Sequence, residues 1–387
     1  MRIALFDWNS GGHHELYARR FARALRPEFD VVAAVHDGSA AALEADGVET
    51  IALGDPRPKV DPDRPLAEQN RELAERELDL FERVARESGA DRLIHLNADP
   101  IVRRIVRRPP LPVPTLLFFL RARAHFPSAY GSRLSPAERA RAVFHDLLVA
   151  RWRRRPDAYA TFALEEEAAR RWSRRRGAPA YWIPEPPVAE LPAAERPAQR
   201  SGIAMYGALA ANKGIGLLAD ALALGHTDVS LTLAGSVDDD YAVALDRATE
   251  QMRAAGVRLD LRARWVGETE GLGLLAGARC VALPYPRHYG MSRVLLEAAS
   301  VGTPVVVHEF GLLGHLVKTH GIGHAVDCTD PRALRAAVLG LAGDPEAPER
   351  YAAALARFAE RYSPGAFEAA VRAPLQAGAP AVAGVTG

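Results

Sequence analysis

The sequence predicts an α/β fold with two lobes, and three observations support this prediction. Short apolar runs alternate with segments of helical periodicity through most of the 387 residues. One proline-rich stretch interrupts the alternation near the middle of the chain, and the pattern then starts again. The apolar runs are typical of buried parallel strands in βα units, and the length favours two domains. Each half is therefore expected to form a Rossmann-like lobe, with a ligand-binding cleft between the carboxyl edges of the two sheets.

The first lobe is predicted to contain six strands and at least three helices. The strands are expected at residues 3–6, 31–35, 93–96, 115–120, 157–162 and 180–183. Two helices are expected over residues 14–25 and 66–88, where apolar side chains recur with helical spacing. A third begins at Ser135, where Pro136 fits the first helical position and Glu138 completes a capping box.

Five prolines between residues 184 and 200 mark the boundary between the lobes. Proline fixes one backbone angle and lacks an amide donor, so this stretch cannot be a central strand or helix. We interpret residues 188–200 as a linker between an N-terminal lobe, residues 1–187, and a C-terminal lobe, residues 201–361. Residues 362–387 are predicted to form a helix that packs back toward the N-terminal lobe, followed by a flexible tail.

The alternation of strands and helices resumes in the second lobe. Strands are expected at residues 202–206, 229–234, 263–266, 280–284 and 303–308. Helices are expected at residues 213–223, 240–255, 291–301, 331–342, 347–361 and 365–376.

Composition excludes some classes of protein. Forty-nine basic and forty-eight acidic residues nearly cancel, whereas a general nucleic-acid-binding protein shows a basic excess. Cys280 and Cys328 lack the spacing of a metal-ligand pair, and Cys280 lies in an apolar run, so a reduced core thiol is expected. No apolar run approaches the roughly 20 residues of a membrane-spanning helix. The sequence therefore predicts a soluble, cytoplasmic protein without a nucleic-acid partner.

The stretch from Gly290 to Val307 combines a loop, a helix and a strand. Backbone amides at the start of the helix and the helix dipole favour a bound diphosphate. Glu297 lies further along the helix, where its carboxylate can accept hydrogen bonds from ribose hydroxyls. Taken alone, the pattern slightly favours an ordinary αβ unit in which Glu297 is solvated.

A second stretch, residues 206–215, ends a strand in a glycine-containing turn and places Lys213 at the head of the next helix. A cation at a helix start opposes the dipole and costs stability unless an anion is nearby. Lys213 is therefore a candidate ligand-binding residue, and a solvated lysine is an equally good explanation of this stretch by itself.

Together the two stretches resemble the C-terminal lobe of the retaining family-4 glycosyltransferases, which have the GT-B architecture. The order and spacing of five segments agree with the family pattern. These segments are residues 207–214, 233–236, 265–267, 283–284 and 296–306. The resemblance implies a set of donor-binding residues in this lobe: Gly207, Lys213, Gly235, Gly290, Met291, Ser292, Arg293 and Glu297.

The resemblance implies transfer of a sugar from a nucleoside-diphosphate donor to an acceptor hydroxyl, with retention of the anomeric configuration. A UDP-sugar is the favoured donor, the acceptor is a small molecule or a glycan, and neither a cofactor nor a metal ion is expected. Two positions depart from the family: its diphosphate-binding Arg falls on Ala208, and its first Glu falls on Tyr289. Arg287, His288 and Arg293 are candidates to replace the missing positive charge.

Two other functions stay open at this point. The departures at Ala208 and Tyr289 are compatible with a nucleotide-sugar-binding protein that has no turnover. The same two-lobe fold is also compatible with an epimerase that acts on a UDP-sugar.

In the N-terminal lobe, the resemblance implies that the loop after the first strand reaches the donor phosphates and the acceptor. Gly11 and Gly12 allow a backbone to approach a ligand closely. Of the two histidines that follow, His13 is favoured as a catalytic residue and His14 as an acceptor contact, and a structural role is the alternative for each. In an inverting variant of the reaction, either histidine is the candidate general base.

The resemblance also matches His125 to a histidine that lines the pocket of the reacting sugar, so Lys213, His125 and His13 are the candidate catalytic residues. Asn97 and Asp99 follow a predicted strand and are candidate acceptor contacts by position only.

Arginines cluster at residues 151–155 and 170–176. A solvated helix face is the preferred interpretation. The alternative is peripheral membrane contact, because residues 137–155 combine basic and apolar positions as an interfacial helix does. The apolar members are Val143, Phe144, Leu147, Leu148 and Trp152.

Overall fold

The computed structural model describes most of the chain as two compact units. The described residues are 1–9, 14–54, 61, 63–120, 134–187, 189, 191–192, 195, 197 and 199–376. The first unit contains the described residues up to Glu185 together with residues 364–376, and the second runs from Pro186 to Ser363.

The first unit is built on a parallel sheet of seven strands in the order β3-β2-β1-β4-β5-β6-β7. The strands are β1 Arg2–Asp7, β2 Asp30–Val35, β3 Glu49–Ala52, β4 Arg92–His95, β5 Thr115–Phe119, β6 Ala158–Ala163 and β7 Ala180–Trp182. The helices are α1 His14–Leu25, α2 Asp37–Ala45, α3 Leu66–Glu87, α4 Val102–Ile105, α5 Pro136–Trp152 and α6 Glu166–Ser173. Successive side chains of β1 enter opposite core layers, with Ile3 and Leu5 on one face and Ala4 and Phe6 on the other. Both faces of the sheet are therefore buried, as parallel sheets require.

The predicted helix start at Ser135 is confirmed as a capping box. The Ser135 hydroxyl accepts from the amide of Glu138, and the Glu138 carboxylate accepts from the amide of Ser135 at 2.7 Å. The predicted bounds of α1 are also confirmed, since the helix runs from His14 to Leu25.

The second unit contains a parallel sheet of six strands in the order β10-β9-β8-β11-β12-β13. The strands are β8 Ile203–Tyr206, β9 Ser230–Ala234, β10 Arg258–Arg262, β11 Cys280–Leu283, β12 Val305–His308 and β13 Gly323–Val326. The helices are α7 Ile215–Leu222, α8 Ala242–Ala254, α9 Glu268–Gly277, α10 Arg293–Ser300, α11 Gly311–His320, α12 Pro331–Gly343 and α13 Ala347–Arg361. Cys280 is a fully buried free thiol, as predicted, and burial raises its pKa to about 12.

The last helix, α14 Pro364–Gln376, belongs to the first unit. Its Phe367 ring packs edge-on against Phe21 of α1, with ring centroids 5.4 Å apart. The hydroxyl of Tyr159 donates to the carbonyl of Pro374 at 2.9 Å, which ties the end of the helix to β6.

The predicted fold class, α/β with two Rossmann-like lobes, is confirmed. Helices α2, α4, α6, α9 and α11 were not predicted, and the errors in the strands lie at sheet edges. The strand expected at residues 263–266 is wrong: β10 lies at Arg258–Arg262, and Trp265 is 74% exposed. Strands β3 and β13 were not predicted, and both also lie at sheet edges. Edge strands are half-exposed and short, so they lack the continuous apolar run that marks a central parallel strand. No described helix is both long and apolar enough to cross a membrane.

Candidate functional site

Two glycines shape the carboxyl edge of the second sheet. Gly207 follows β8 with a φ of 110°, and Gly235 follows β9 with a φ of 152°. A Cβ atom on Gly235 would lie 1.7 Å from the carbonyl oxygen of Gly207. The two chain segments therefore run in direct backbone contact, which only glycine at position 235 permits.

A third glycine brings Lys213 to the neighbouring strand. Gly214 has a φ of 70°, and a Cβ atom there would lie 2.2 Å from the carbonyl oxygen of Pro284. This close approach places the Nζ of Lys213 at 4.5 Å from the ring centroid of Tyr285, just after β11. Strands β8 and β11 are the central neighbours at which the strand order reverses, and open α/β sheets bind ligands outside this point.

The charge of Lys213 is disfavoured in this position. Burial lowers the pKa of Lys213, the positive charge of Arg293 lowers it further, and Asp238 opposes the shift. Among the described residues, no carboxylate forms an ion pair with Lys213. An anion bound beside Lys213 would therefore gain more than it would beside a solvated lysine.

Helix α10 begins at Arg293, two residues later than the predicted start at residue 291, with Ser292 as its extended N-cap residue. Within the described chain no side chain caps this helix start, and Ser292 instead hydrogen-bonds Tyr285. The Nε of Arg293 lies 3.3 Å from the Oε1 of Glu297, whose side chain is 1% exposed. Glu297 therefore holds Arg293 from a buried position. The interpretation of Glu297 as a solvated residue of an ordinary αβ unit is wrong.

The loop between β11 and α10 contains Gly290 and Met291. The Nε2 of His288 donates to the carbonyl of Met291 at 3.3 Å, which fixes the imidazole against the loop. Burial lowers the pKa of His288, the hydrogen bond to Met291 opposes the shift, and the charge of Lys213 adds to it. His288 is therefore expected to be neutral near pH 7.

Arg287 carries a strained backbone in the same loop. Its φ of 50° is the only positive value of a non-glycine residue in the described part of the chain. Its guanidinium lies 5.1 Å from the ring centroid of Phe310 and donates to the hydroxyl of Tyr289 at 3.0 Å. Arg287 is thus engaged with Tyr289, and burial lowers the pKa of His288, so Arg293 is the candidate that places positive charge beside Lys213.

At the carboxyl end of β1 in the first unit, a buried carboxylate holds His14. The Oδ2 of Asp7 accepts from the Nδ1 of His14 at 2.8 Å, and its Oδ1 accepts from the amide and the side chain of Asn9. Asp7 is 2% exposed. In this bond the Nδ1 of His14 donates to the carboxylate, which fixes the orientation of the imidazole ring.

A second buried pair lies under the same edge. The Oε1 of Glu77 lies 3.7 Å from the Nε2 of His95 and accepts from Asn9 at 3.4 Å, and both ionisable side chains are fully buried. The amide of Asn97 donates to the Nδ1 of His95 at 3.2 Å, so Asn97 is placed by this cluster. Sequence reasoning missed Asp7, Glu77 and His95. The signal for Asp7 was available, because it is the last residue of the first strand.

Asp99 is engaged inside the first unit. Its Oδ2 accepts from the amide of Leu120 at 2.8 Å, and its Oδ1 lies 3.9 Å from the Nε2 of His145 on α5. Four predicted residues, Gly11, Gly12, His13 and His125, lie outside the described residues.

The preferred interpretation of the arginine clusters as a solvated face is wrong for two members of the first cluster, Arg153 and Arg155. Arg153 is 2% exposed and donates to the carbonyls of Trp172, Arg175 and Ala178, and burial lowers its pKa to about 10. Arg155 is bidentate on the buried carboxylate of Asp157. Trp152 is fully buried, so it does not belong to an interfacial face.

The arrangement in the second unit has the chemistry of an oxyanion or diphosphate site. It combines a backbone-lined glycine turn, a cation without a counter-ion among the described residues, a second cation on a buried carboxylate, and a helix start without a side-chain cap. The two parallel sheets with their helices have the topology of the two lobes of a GT-B fold.

A family model matches part of the second unit. Residues 200–344 match the family model described as "Glycosyl transferases group 1". Over this segment the second unit is similar to the group 1 glycosyltransferases, and the predicted resemblance of this lobe is confirmed.

Curated relatives match part of the chain. The phosphatidyl-myo-inositol mannosyltransferase of Mycobacterium leprae (strain TN) is 30% identical over 156 residues, which cover 39% of this chain and 39% of the relative. The glycogen synthase of Mycobacterium tuberculosis (strain CDC 1551 / Oshkosh) is 35% identical over 134 residues, which cover 33% of this chain and 30% of the relative. The chain thus spans less than half of the length of these curated relatives.

Solved structures match almost the whole chain in fold. HepE of Anabaena in complex with UDP and glucose aligns with a TM-score of 0.64 and 17% identity, covering 97% of this chain and 100% of that one. A glycosyltransferase of Rickettsia africae aligns with a TM-score of 0.64 and 11% identity, covering 97% of both chains.

Proposed function

We propose that this protein transfers a sugar from a nucleoside-diphosphate donor to an acceptor hydroxyl, with retention of the anomeric configuration and without a metal ion. The observation that carries the proposal is the position of Lys213. Its desolvated ammonium group lies at the reversal point of the second sheet, beside Tyr285 and within the field of Arg293. Such a group stabilises the negative charge that develops on a leaving diphosphate.

In the proposed reaction, the bond between the anomeric carbon and the diphosphate oxygen breaks, and the acceptor oxygen bonds to that carbon. The leaving diphosphate takes up the electron pair and receives the proton of the acceptor hydroxyl. Lys213, Arg293 and the amides at the start of α10 stabilise the charge on the diphosphate. These groups are in place before the reaction, so they do not need to reorganise during it.

Glu297 has two roles in this proposal. Its buried carboxylate holds Arg293 toward the site, and its remaining lone pairs accept from donor hydroxyls. A UDP-sugar is the preferred donor of the proposal, because HepE is described in complex with UDP, with UDP and glucose, and with UDP-glucose.

The acceptor is proposed to be a small molecule or a glycan that contacts the first unit. His14 is the preferred contact there, because Asp7 orients its ring through the hydrogen bond to Nδ1. His13 and His125 stay predicted catalytic residues.

Substitution of Lys213 tests the proposal. Lys213→Ala is expected to lower transfer and the affinity for UDP by on the order of a hundredfold, because it removes the cation on the leaving group. Lys318→Ala is the matched control, since Lys318 is exposed and pairs with Glu309 at 2.8 Å. Product formation is measured by mass spectrometry with UDP-, GDP-, ADP- and dTDP-sugars, and affinity by calorimetry. Near-normal rates and affinities in Lys213→Ala would contradict the assignment of the site.

The same assays separate the alternative functions. A nucleotide-sugar-binding protein gives a calorimetric signal but no product with any acceptor, and an epimerase gives a product without an acceptor. A donor present at a hundred times its Kd stabilises the protein by about 2.7 kcal/mol, so a thermal-shift screen identifies the donor first. Proton NMR of the anomeric coupling in the product tests retention.

A further inference from the structure

Helix α5 is apolar on two opposite faces. One face, with Ala142, Val149 and Trp152, is buried in the first unit. The other face exposes Val143 by 57%, Phe144 by 47% and Leu147 by 59%. Three of the eight exposed large hydrophobic residues in the described chain thus lie within five positions on one helix, so they form a contiguous patch. We call Val143, Phe144 and Leu147 the α5 patch.

Arginines surround the α5 patch. Arg139 and Arg141 lie about one turn before it on the helix, and Arg151 lies one turn after Leu147. Helix α4 packs alongside and contributes Arg103, whose guanidinium lies 5.7 Å from the ring centroid of Phe144. Arg107 follows on the same segment and is exposed.

These five arginines have no acidic partner among the described residues. Their side-chain contacts are to backbone carbonyls or to the Phe144 ring. The two carboxylates of α5 are engaged elsewhere: Glu138 in the capping box and Asp146 with Trp172 and two arginines. The neighbouring Arg104 and Arg108, by contrast, pair with acidic residues of α3. Five arginines without an acidic partner among the described residues thus lie together around the α5 patch.

We propose that the α5 patch and its arginines dock this protein on the surface of a bilayer that contains anionic phospholipids. The apolar side chains would enter the boundary between headgroups and acyl chains, and the guanidinium groups would bind lipid phosphates. A bilayer surface offers an apolar region to the α5 patch and phosphates to the arginines at once.

Two other occupants of this surface would pair with either the α5 patch or the arginines, but not with both. A second copy of the chain would bring five arginines against five arginines, which repel. A nucleic acid would bind the arginines but leave the aliphatic Val143 and Leu147 unused, since bases stack on aromatic rather than aliphatic side chains. The charge and the apolar groups together therefore favour a lipid surface.

The proposal stands on α4 and α5 alone and does not require the proposed sugar transfer.

Cosedimentation with lipid vesicles tests the proposal. The full chain is expected to pellet at low salt with vesicles of phosphatidylcholine and phosphatidylglycerol in equal parts, and to stay in solution with pure phosphatidylcholine. A variant with Val143→Ser, Phe144→Ser and Leu147→Ser is expected to bind about tenfold less tightly, because the buried apolar area is lost. A variant with Arg103→Gln, Arg107→Gln and Arg141→Gln is expected to lose most of its dependence on the anionic lipid and on salt.

Matched controls come from the second unit. Arg247→Gln, Arg253→Gln and Arg357→Gln remove three exposed arginines outside the patch, and Leu224→Ser with Val243→Ser removes exposed apolar residues. Both controls are expected to bind vesicles as the unmodified chain does. Circular dichroism confirms that each variant is folded, and the two patch variants test the two halves of the surface separately.

Several outcomes would overturn the proposal. The full chain could stay in solution with the anionic vesicles at low salt, or the serine variant could bind as tightly as the unmodified chain. A dimer in analytical ultracentrifugation that the serine variant abolishes would assign the patch to a second copy. Equal loss of binding in the second-unit arginine control would show a general charge effect and no docking surface.

Discussion

The carboxyl edges of the two sheets have the same strand topology and opposite electrostatics. In both sheets the order of the first six strands reverses between the first and the fourth strand, and polar residues collect there. In the second unit the edge holds Lys213, a cation that burial disfavours, beside Arg293. In the first unit the edge holds buried carboxylates that are already hydrogen-bonded, Asp7 to His14 and Asn9, and Glu77 to Asn9.

The second edge therefore carries a charge that a bound anion would stabilise, whereas the carboxylates of the first edge are already hydrogen-bonded within the protein. The second edge is stabilised by an added anion, because burial and the charge of Arg293 disfavour the charged Lys213, which forms no ion pair among the described residues. The first edge gains nothing from an added charge, and its network instead fixes the orientation of one imidazole. Removing the charge of Lys213 from the second edge should therefore raise stability and weaken ligand binding, whereas removing the charge of Asp7 from the first edge should lower stability and leave ligand binding nearly unchanged.

The largest expected effect comes from Gly235→Ala in the second unit. The added Cβ would lie 1.7 Å from the carbonyl oxygen of Gly207, so the turns after β8 and β9 must move apart. We expect a loss of about 3 kcal/mol in the free energy of unfolding, because backbone cannot yield as a flexible side chain does. The affinity for UDP is expected to fall by more than about a hundredfold, since Lys213 lies on the displaced turn.

Gly340→Ala is the matched control for this substitution. Gly340 lies in α12, and a Cβ atom added there would meet no other atom within 4 Å, so the change should stabilise the helix by about 0.5 to 1 kcal/mol. Urea unfolding and calorimetry measure both quantities. Equal UDP affinity in Gly235→Ala and the unmodified chain would mean that the glycine contact does not shape the ligand site.

Asp7→Asn is expected to have a moderate effect on the first unit. The amide keeps one oxygen for Asn9 but presents a donor to His14, so it reverses the proton preference of the imidazole. We expect the free energy of unfolding to fall by about 1 to 3 kcal/mol and transfer to fall by about tenfold. UDP affinity should stay within about twofold, because the donor cations lie in the second unit.

An exposed carboxylate provides the comparison for this variant. Asp46 pairs with Arg19 at the surface, and Asp46→Asn should change stability by less than about 1 kcal/mol without affecting transfer. If Asp7→Asn weakens UDP binding as much as it slows transfer, the claim that UDP binding depends on the second edge alone is contradicted.

The sequence predicted the central strands and the second-unit site segments better than it predicted partners across the fold. Lys213, Gly207 and Gly235 could be selected because a turn glycine or a cation at a helix start is a local signal. The contact of Gly214 with Pro284 joins two strand ends about 70 residues apart, and no local pattern encodes it. For the same reason Glu77 and His95, which meet across α3 and β4, resembled ordinary helix and strand residues.

The smallest expected effect is a gain of stability in Lys213→Met. Because the folded state lowers the pKa of Lys213 from the ordinary lysine value of 10.5, the folded protein binds fewer protons than the unfolded chain just below pH 10.5. Stability of the unmodified chain should therefore rise with pH through that window, and the charged side chain destabilises the fold at neutral pH. Lys213→Met removes this cost and should raise the free energy of unfolding by at most about 1 kcal/mol, with loss of UDP binding.

Lys318→Met, which breaks an exposed pair, should give no gain. Calorimetric unfolding from pH 7 to about pH 10 measures both variants. A loss of stability in Lys213→Met would show that Lys213 is already compensated in the free protein, and the contrast between the two edges would not hold.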